Sequence, residues 1–344
     1  MENFGLLNDD IYFDVLSRLP TKDLLQLKCV CKRWCLLISN PVFRRVQSQK
    51  REPISGFFFP QKYNLYSDDI QNIAYIPVEL GDGGLHQSVF NFLPEDVLVL
   101  ASCLNGTRPD AKANIGLAFD PCRNTADSWT NFKLVSVQQF ENGSEDPYFS
   151  FNIYSSDTDS WRTSQEVCHH RGCIFWNEVI FVEGILHWLT HFGEILAFNV
   201  ENEKSCVISV PVPEPAAQSG MLFASCIGES NNKLHYVIVS GDGLHIWSLE
   251  DYLNFKWNLK CSRSLQVILE QHPSLPCQSY FSWPMDALAF KDGYLLMKGR
   301  SDIYLYNVET NKMDEVLSVS ELHKYTFSPL SSALPYSLSL VPLK

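Results

Sequence analysis

Three cysteines within seven residues form the first group in this sequence that could do chemistry: Cys29, Cys31 and Cys35 in "CVCKRWC". Thiolates are preferred ligands of zinc. On a helix, however, Cys31 and Cys35 would share one face while Cys29 points elsewhere, and no nearby His or Cys completes a tetrahedral set. We therefore interpret these cysteines as small apolar residues of a docking helix and expect no metal.

A second candidate metal site is "CHHRGC", which places two thiols and two imidazoles between Cys168 and Cys173. Zinc sites usually combine two separated pairs of ligands, and ligands packed this closely rarely form one tetrahedron. We interpret the segment as a connection between two strands.

The acidic turn "SSDTDSW" (155–161) resembles the Asp-turn of sialidase-type propellers and raises the alternative of a glycan enzyme. A glycosidase needs two carboxyl groups about 5–5.5 Å or 6.5–9.5 Å apart, and the sequence selects no such pair. The common phosphate, dinucleotide, esterase and metalloprotease fingerprints are absent, as are the spaced ligands of a RING finger. We predict neither enzymatic activity nor a cofactor.

The charge of the chain is unevenly distributed. Residues 1–51 hold nine Lys and Arg against five Asp and Glu, whereas the rest holds 18 against 34. The acidic body argues against nucleic-acid binding, and the contrast suggests two parts with different partners. We find no secretory signal and no apolar run long enough to span a membrane, so we expect a cytoplasmic or nuclear protein with free thiols.

Helical periodicity dominates the first fifty residues. It predicts a first helix that ends before Pro20 and a second helix that is capped by Thr21 or Asp23 and stopped by Asn40 and Pro41. The apolar positions are Ile11, Val15, Leu16 and Leu19 in the first helix, and Leu24, Leu27, Val30 or Cys31, Trp34, and Leu37 or Ile38 in the second.

From about residue 55 the pattern becomes that of short strands, either apolar or alternating, separated by Gly, Asn, Asp and Pro. The segments "AFNVENEK" (197–204) and "LYNVETNK" (305–312) repeat one strand and turn, and related segments occur at 153–161 and 246–252. The steps of roughly 45 to 57 residues match a four-stranded blade. We predict a β-propeller and keep a two-layer β-sandwich as the alternative.

Residues 6–47 closely resemble an F-box, with "SRLP" ending the first helix, "LL" opening the second, then "VCKRW" and "PVF". One departure is Asn8, which follows Leu7 where the family usually has proline. Across roughly residues 90–260 the chain is similar to the kelch-like F-box-associated domain of the large plant F-box family, in segments such as "IYSSDTDSWR", "VIFVEGILHWLT" and "ILAFNVENEK".

This resemblance implies an α+β multidomain chain: a small all-α, three-helix F-box over residues 1–50, and a large all-β, β-propeller-like domain over residues 51–344. It also implies the substrate receptor of an SCF-type ubiquitin ligase. The F-box would bind a Skp-type adaptor and, through it, a cullin–RING scaffold. The β domain would capture an unidentified protein for ubiquitination.

The residues expected to bind the adaptor are the apolar ones of the F-box helices, although some of them must instead form the F-box's own core. They are Leu7, Ile11, Val15, Leu16, Leu19, Pro20, Leu24, Leu27, Val30, Cys31, Trp34, Leu37 and Ile38. Two alternatives stay open: an adaptor-binding protein without a degradation target, and a glycan-binding propeller with Trp188 or Trp247 as aromatic platforms.

Overall fold

A computed structural model describes residues 9–48, 50, 52–61, 72–78, 114–119, 132–140, 146–171, 174–190, 193–211, 224–240, 243–272, 285–299, 302–318, 333–338 and 340. Short helices dominate the N-terminal part, and strands dominate the rest. The helices are α1 (Asp9–Ser17), α2 (Thr21–Leu27), α3 (Lys32–Ser39), α4 (Pro41–Ser48) and α5 (Leu265–Gln271). The helix α5 was not predicted.

The described N-terminal residues form four helices instead of three: the predicted second helix is broken into α2 and α3, and α4 follows it. Cys31 is extended, with φ −158° and ψ 158°, and its Sγ accepts a hydrogen bond from the backbone N–H of Trp34 at 3.5 Å. This thiol therefore caps the start of α3. At the other end α3 stops at Asn40 as predicted, but Pro41 opens α4, since proline suits the first position of a helix.

The strands of the β domain are β1 (Ile54–Gln61), β2 (Asn72–Pro77), β3 (Asn114–Ala118), β4 (Lys133–Phe140), β5 (Tyr148–Ser155), β6 (Ser160–His169), β7 (Ile174–Val182), β8 (Ile185–Thr190), β9 (Ile195–Asn199), β10 (Lys204–Ile208), β11 (Ala224–Ser230), β12 (Lys233–Ser240), β13 (Gly243–Asp251), β14 (Lys256–Ser264), β15 (Asp286–Lys291), β16 (Tyr294–Lys298), β17 (Asp302–Asn307), β18 (Lys312–Ser318) and β19 (Leu334–Ser337).

These strands form antiparallel blades. Blade 1 has the order β19-β1-β2, and blades 2 to 5 are β3–β6, β7–β10, β11–β14 and β15–β18 in chain order. The first strands of blades 2 to 5 contact one another in order: β3 contacts β7, β7 contacts β11, and β11 contacts β15. The strand β15 also contacts β19 of blade 1. Blades 4 and 5 are joined by a short parallel pairing of β11 with β15. Successive blades therefore follow one another around a β-propeller.

The apolar cores lie between neighbouring blades, as in a propeller and unlike the single layer between two sheets of a sandwich. Between blades 2 and 3, the rings of Phe151 and Phe198 stack with centroids 4.3 Å apart, beside the buried Trp188. Similar cores join blade 3 to blade 4, blade 4 to blade 5, and blade 5 to blade 1. The predicted fold class is confirmed.

The repeat seen in the sequence corresponds to the hairpin between the last two strands of a blade. In blades 3, 4 and 5, the side-chain oxygen of Asn199, Asp251 and Asn307 accepts two backbone N–H bonds from the turn that follows. This Asx-turn is a common use of Asn and Asp, whose side chains replace a backbone acceptor. The similar segments are thus equivalent positions in different blades.

A buried histidine joins blades 3 and 4. His187 is fully buried, its Nδ1–H donates to the carbonyl of Ile180 at 3.3 Å, and the phenol of Tyr252 donates to its Nε2 at 2.8 Å. Burial disfavours the charged ring, and in the neutral tautomer both ring nitrogens already have a hydrogen-bond partner. The pKa of His187 is therefore lowered from 6.5 to about 4.

Acidification from pH 7 to pH 5 is therefore expected to destabilise the β domain. The unfolded chain binds a proton at His187 below pH 6.5, whereas the folded protein resists it down to about pH 4, so stability falls as the pH falls. The contribution of this residue over that interval is about 2 kcal/mol. The difference between the free energies of unfolding in urea at pH 7 and at pH 5 measures this loss of stability.

The matched variant for this measurement is His187→Gln, which keeps hydrogen-bonding capacity but has no group that titrates in this range. Burial also lowers the pKa of His235, so the His187→Gln variant keeps part of the pH dependence. The expected result is a flatter pH profile for the variant. Equal slopes for the two proteins would contradict the role of His187.

Candidate functional site

The four N-terminal helices enclose a small core of their own. Leu16, Leu24, Ile38 and Phe43 are between 0% and 3% exposed, and the ring of Phe13 packs edge-on against Phe43 with centroids 5.1 Å apart. Neither phenylalanine was among the predicted residues. Their signal in the sequence was weak. Phe43, for example, lies just after Pro41, where the helical periodicity predicts that the second helix has ended.

The same helices leave large apolar side chains in contact with solvent. Ile11 is 48% exposed, Val15 53% and Val30 62%. Ile11 and Val15 lie four residues apart on α1 and therefore share one face of that helix. Leu25, Leu36 and Val42 are further exposed apolar residues, outside the thirteen predicted to bind the adaptor. Side chains of this kind on a small domain usually mark an interaction surface.

The structure thus divides the thirteen predicted adaptor-binding residues into groups. The buried ones are Leu16, Leu24 and Ile38; the half-buried ones are Leu19, Leu27, Trp34 and Leu37; and the exposed ones are Ile11, Val15, Pro20, Val30 and Cys31. Leu7 lies outside the described residues. The exposed group is available for direct contact, whereas the buried group supports the helices that present it.

An aromatic and ionic cluster holds α1 against α3. Arg33 donates through Nε and Nη2 to Oδ1 of Asp9, at 2.9 Å and 2.7 Å, and its guanidinium lies 4.7 Å from the ring centroid of Tyr12. The ring of Trp34 lies 6.2 Å from that of Tyr12. Arg33 therefore contacts the first helix through an ion pair with Asp9 and through its position over the ring of Tyr12.

The helical domain is attached to the propeller through Glu52, just before β1. Its Oε1 accepts hydrogen bonds from the backbone N–H of Thr21 at 3.1 Å, the hydroxyl of Thr21 at 2.7 Å and the amide of Gln47 at 3.1 Å. Gln47 also donates to the carbonyl of Leu19 at 2.9 Å. Because Thr21 opens α2, this carboxylate satisfies a backbone donor that Pro20 cannot cap.

Beyond this junction the chain meets the ends of two blades. A cleft of about 590 Å³ is lined by Pro53 together with the β11–β12 turn at Asn231, the β15–β16 turn at Asp292 and the β17–β18 turn at Glu309. The helical domain therefore enters the propeller on the end that carries these short turns.

The described residues of the candidate metal and enzyme segments have other partners in the structure. Cys168 is buried in the core between blades 2 and 3, His170 pairs with Glu194 at 3.0 Å, and Cys173 lies outside the described residues. Asp159 accepts a hydrogen bond from the phenol of Tyr154 at 2.6 Å. Across the described ranges, no three His, Cys, Asp or Glu side chains come close enough together to hold a metal ion.

The predicted aromatic platforms differ in their exposure. Trp188 is 1% exposed and offers no face to a ligand, and Trp247 is half-buried beside the core between blades 3 and 4. Trp257 donates its indole N–H to the carbonyl of Ser209 at 2.9 Å.

Among the helices that the structure describes, none has the length and apolar character needed to cross a membrane.

Comparison with known proteins gives two matching families and several relatives. The F-box domain matches residues 4–46, and the family described as "F-box protein At3g26010-like, beta-propeller" matches residues 129–328. The F-box protein At5g07610 of Arabidopsis thaliana is 25% identical over 328 residues, which cover 80% of this chain and 74% of that protein.

A second relative supports the same assignment over a similar length. The F-box protein At5g49610 of Arabidopsis thaliana is 25% identical over 299 residues, covering 77% of this chain and 80% of that protein. The propeller family matches more than half of the chain, and the described strands form blades in that region. The chain therefore belongs to the At3g26010-like family of F-box proteins with a β-propeller.

Proposed function

We propose that this protein is the substrate-recognition subunit of an SCF-type ubiquitin ligase. In this proposal the F-box, residues 1–50, binds a Skp-type adaptor and through it a cullin–RING scaffold. The kelch-like β domain, residues 51–344, holds an unidentified substrate protein. The observation that carries the proposal is the division of the F-box helices into a closed core and exposed apolar residues, here Ile11, Val15 and Val30.

The physical basis of adaptor binding in this proposal is apolar burial. A domain of this size has more apolar residues than its core uses, and covering the excess with a partner is favourable. Truncating a central contact residue at such an interface typically costs about 2 kcal/mol or more of binding. Val15 is the best candidate, because its neighbour Leu16 already holds the core and leaves Val15 free to face a partner.

The chain itself makes no bond in this proposal. It holds the substrate near a ubiquitin-loaded enzyme carried by the scaffold, so its contribution is proximity and orientation. No cofactor is required. The acidic β domain disfavours nucleic acid as a partner, and we propose a cytoplasmic or nuclear location without membrane attachment.

The test is to mix the purified chain with a Skp-type adaptor and to measure complex formation by size exclusion and calorimetry. The wild-type chain is expected to form a one-to-one complex. The substitution Val15→Asp places a charge in the proposed interface and is expected to weaken binding at least tenfold, about 1.4 kcal/mol, since a buried unpaired carboxylate is costly.

The matched control is Leu253→Asp, which also replaces an apolar side chain by aspartate but at a position that is 92% exposed on the β13–β14 turn. This variant is expected to bind like the wild-type protein. The variant Leu16→Asp is unsuitable, because Leu16 is 3% exposed and its replacement would disrupt the F-box core itself. A folded wild-type chain that forms no complex would overturn the proposed function.

A further inference from the structure

The first and last described strands of the β domain pair with each other in blade 1. In the antiparallel pairing of β1 with β19, Ile54 lies opposite Ser337 and Phe58 lies opposite Leu334. The start of β1, which follows the F-box directly, is therefore beside the end of β19. Leu340, three residues after β19, is consequently brought next to the F-box, although the whole propeller separates the two in sequence.

Leu340 uses this position to enter the F-box core. Its side chain is 9% exposed and belongs to the same apolar cluster as Leu16, Leu24, Ile38 and Phe43. All the other members of the cluster come from residues 13–43. A helical domain of this size buries little surface alone, so a leucine from outside adds substantially to its core.

A polar contact lies on the same side of the junction. Glu52, two residues before β1, accepts hydrogen bonds from Thr21 and Gln47, which are 1% and 2% exposed. The carboxylate ties the start of α2 to the end of α4. The F-box is therefore fixed to blade 1 by the half-buried carboxylate of Glu52 before β1 and by the buried Leu340 after β19.

We propose that Leu340, three residues after β19, is a structural part of the adaptor-binding F-box and acts there as a positioning residue. This inference rests on the proposed function for its adaptor-binding consequence. When β19 pairs in blade 1, Leu340 completes the core that supports α1 to α3. Closure of the propeller and competence of the F-box are therefore thermodynamically coupled.

The coupling has a functional consequence. An F-box whose propeller is not closed lacks one of its core side chains and binds the adaptor more weakly. Adaptor binding in turn favours the docked state of the segment after β19, because linkage is reciprocal. A receptor built in this way is recruited to the ligase preferentially when its substrate-binding domain is complete.

The experiment compares Leu340→Ala with Leu334→Ala in the full chain. Both remove the same atoms from positions six residues apart, but Leu334 is 54% exposed on β19, outside the F-box core. Hydrogen exchange reports on the helices directly. We expect exchange of the α1–α3 amides to accelerate at least tenfold in Leu340→Ala, while exchange in blades 2, 3 and 4 and in Leu334→Ala stays at the wild-type rate.

Adaptor affinity is the second measurement on the same proteins. The expected result is a loss of about tenfold for Leu340→Ala and none for Leu334→Ala, each tenfold corresponding to about 1.4 kcal/mol. Equal exchange in the two variants would overturn the inference. If the wild-type chain does not bind the adaptor, the proposed function fails, whereas the exchange result still decides whether Leu340 stabilises the F-box.

Discussion

Replacing Trp188 by alanine is expected to destabilise the β domain by about 3–5 kcal/mol, the range for removing a large aromatic side chain from a core. Trp188 is 1% exposed and packs in the core between blades 2 and 3 with Phe151, Phe198 and Leu186. Its removal leaves a cavity that the surrounding strands, held in register by β8–β9 pairing, fill only in part. Chemical denaturation followed by tyrosine fluorescence measures the loss.

The control for this prediction is Trp188→Phe. Within the described residues the indole N–H of Trp188 has no hydrogen-bond partner, so phenylalanine removes an unsatisfied polar group while keeping most of the apolar volume. The loss in the phenylalanine variant is expected to be less than half of that in the alanine variant. A mild effect of Trp188→Ala would show that this core is less tightly packed than the structure indicates.

Deleting residues 1–45 is expected to abolish adaptor binding and to leave the propeller folded. The four cores between blades contain no residue of the F-box helices. The main cost to the propeller is exposure of Leu340, about 2 kcal/mol for one leucine side chain. Circular dichroism and denaturation of the truncated chain test its folding, and size exclusion with the adaptor tests binding.

The dependence between the two parts is therefore unequal. The propeller keeps its cores without the F-box, whereas the F-box loses a core residue without the segment that carries Leu340. If the chain lacking residues 1–45 unfolds, the propeller also depends on the helices and the two parts are not separable. If it folds and still binds the adaptor, the binding surface lies outside the F-box.

Local sequence patterns were sufficient for much of this architecture. The change from helical to strand periodicity separates the helices from the propeller, and the repeated Asn or Asp before a turn marks the same hairpin in several blades. These features follow from interactions within a few residues. The F-box match at residues 4–46 confirms the likeness that its short motifs had indicated.

Other local patterns were misleading because tertiary contacts outweighed them. The apolar spacing from Leu24 to Ile38 fits one continuous helix, yet the chain is extended at Cys31, where the thiol caps a new helix. Breaking the helix lets Leu24 and Ile38 both reach the small core. Apolar periodicity shows that two residues share a face but does not show that the helix between them is continuous.

Composition and spacing determined that this chain has an apolar helical head and a repeated β domain, since these are properties of short segments. Only the tertiary structure decided that Leu16 is core while its neighbour Val15 is exposed, and that Leu340 joins the F-box. Burial depends on which distant segments arrive at a surface. Here the pairing of β1 with β19 brings Leu340 to the F-box, and no local sequence pattern encodes that contact.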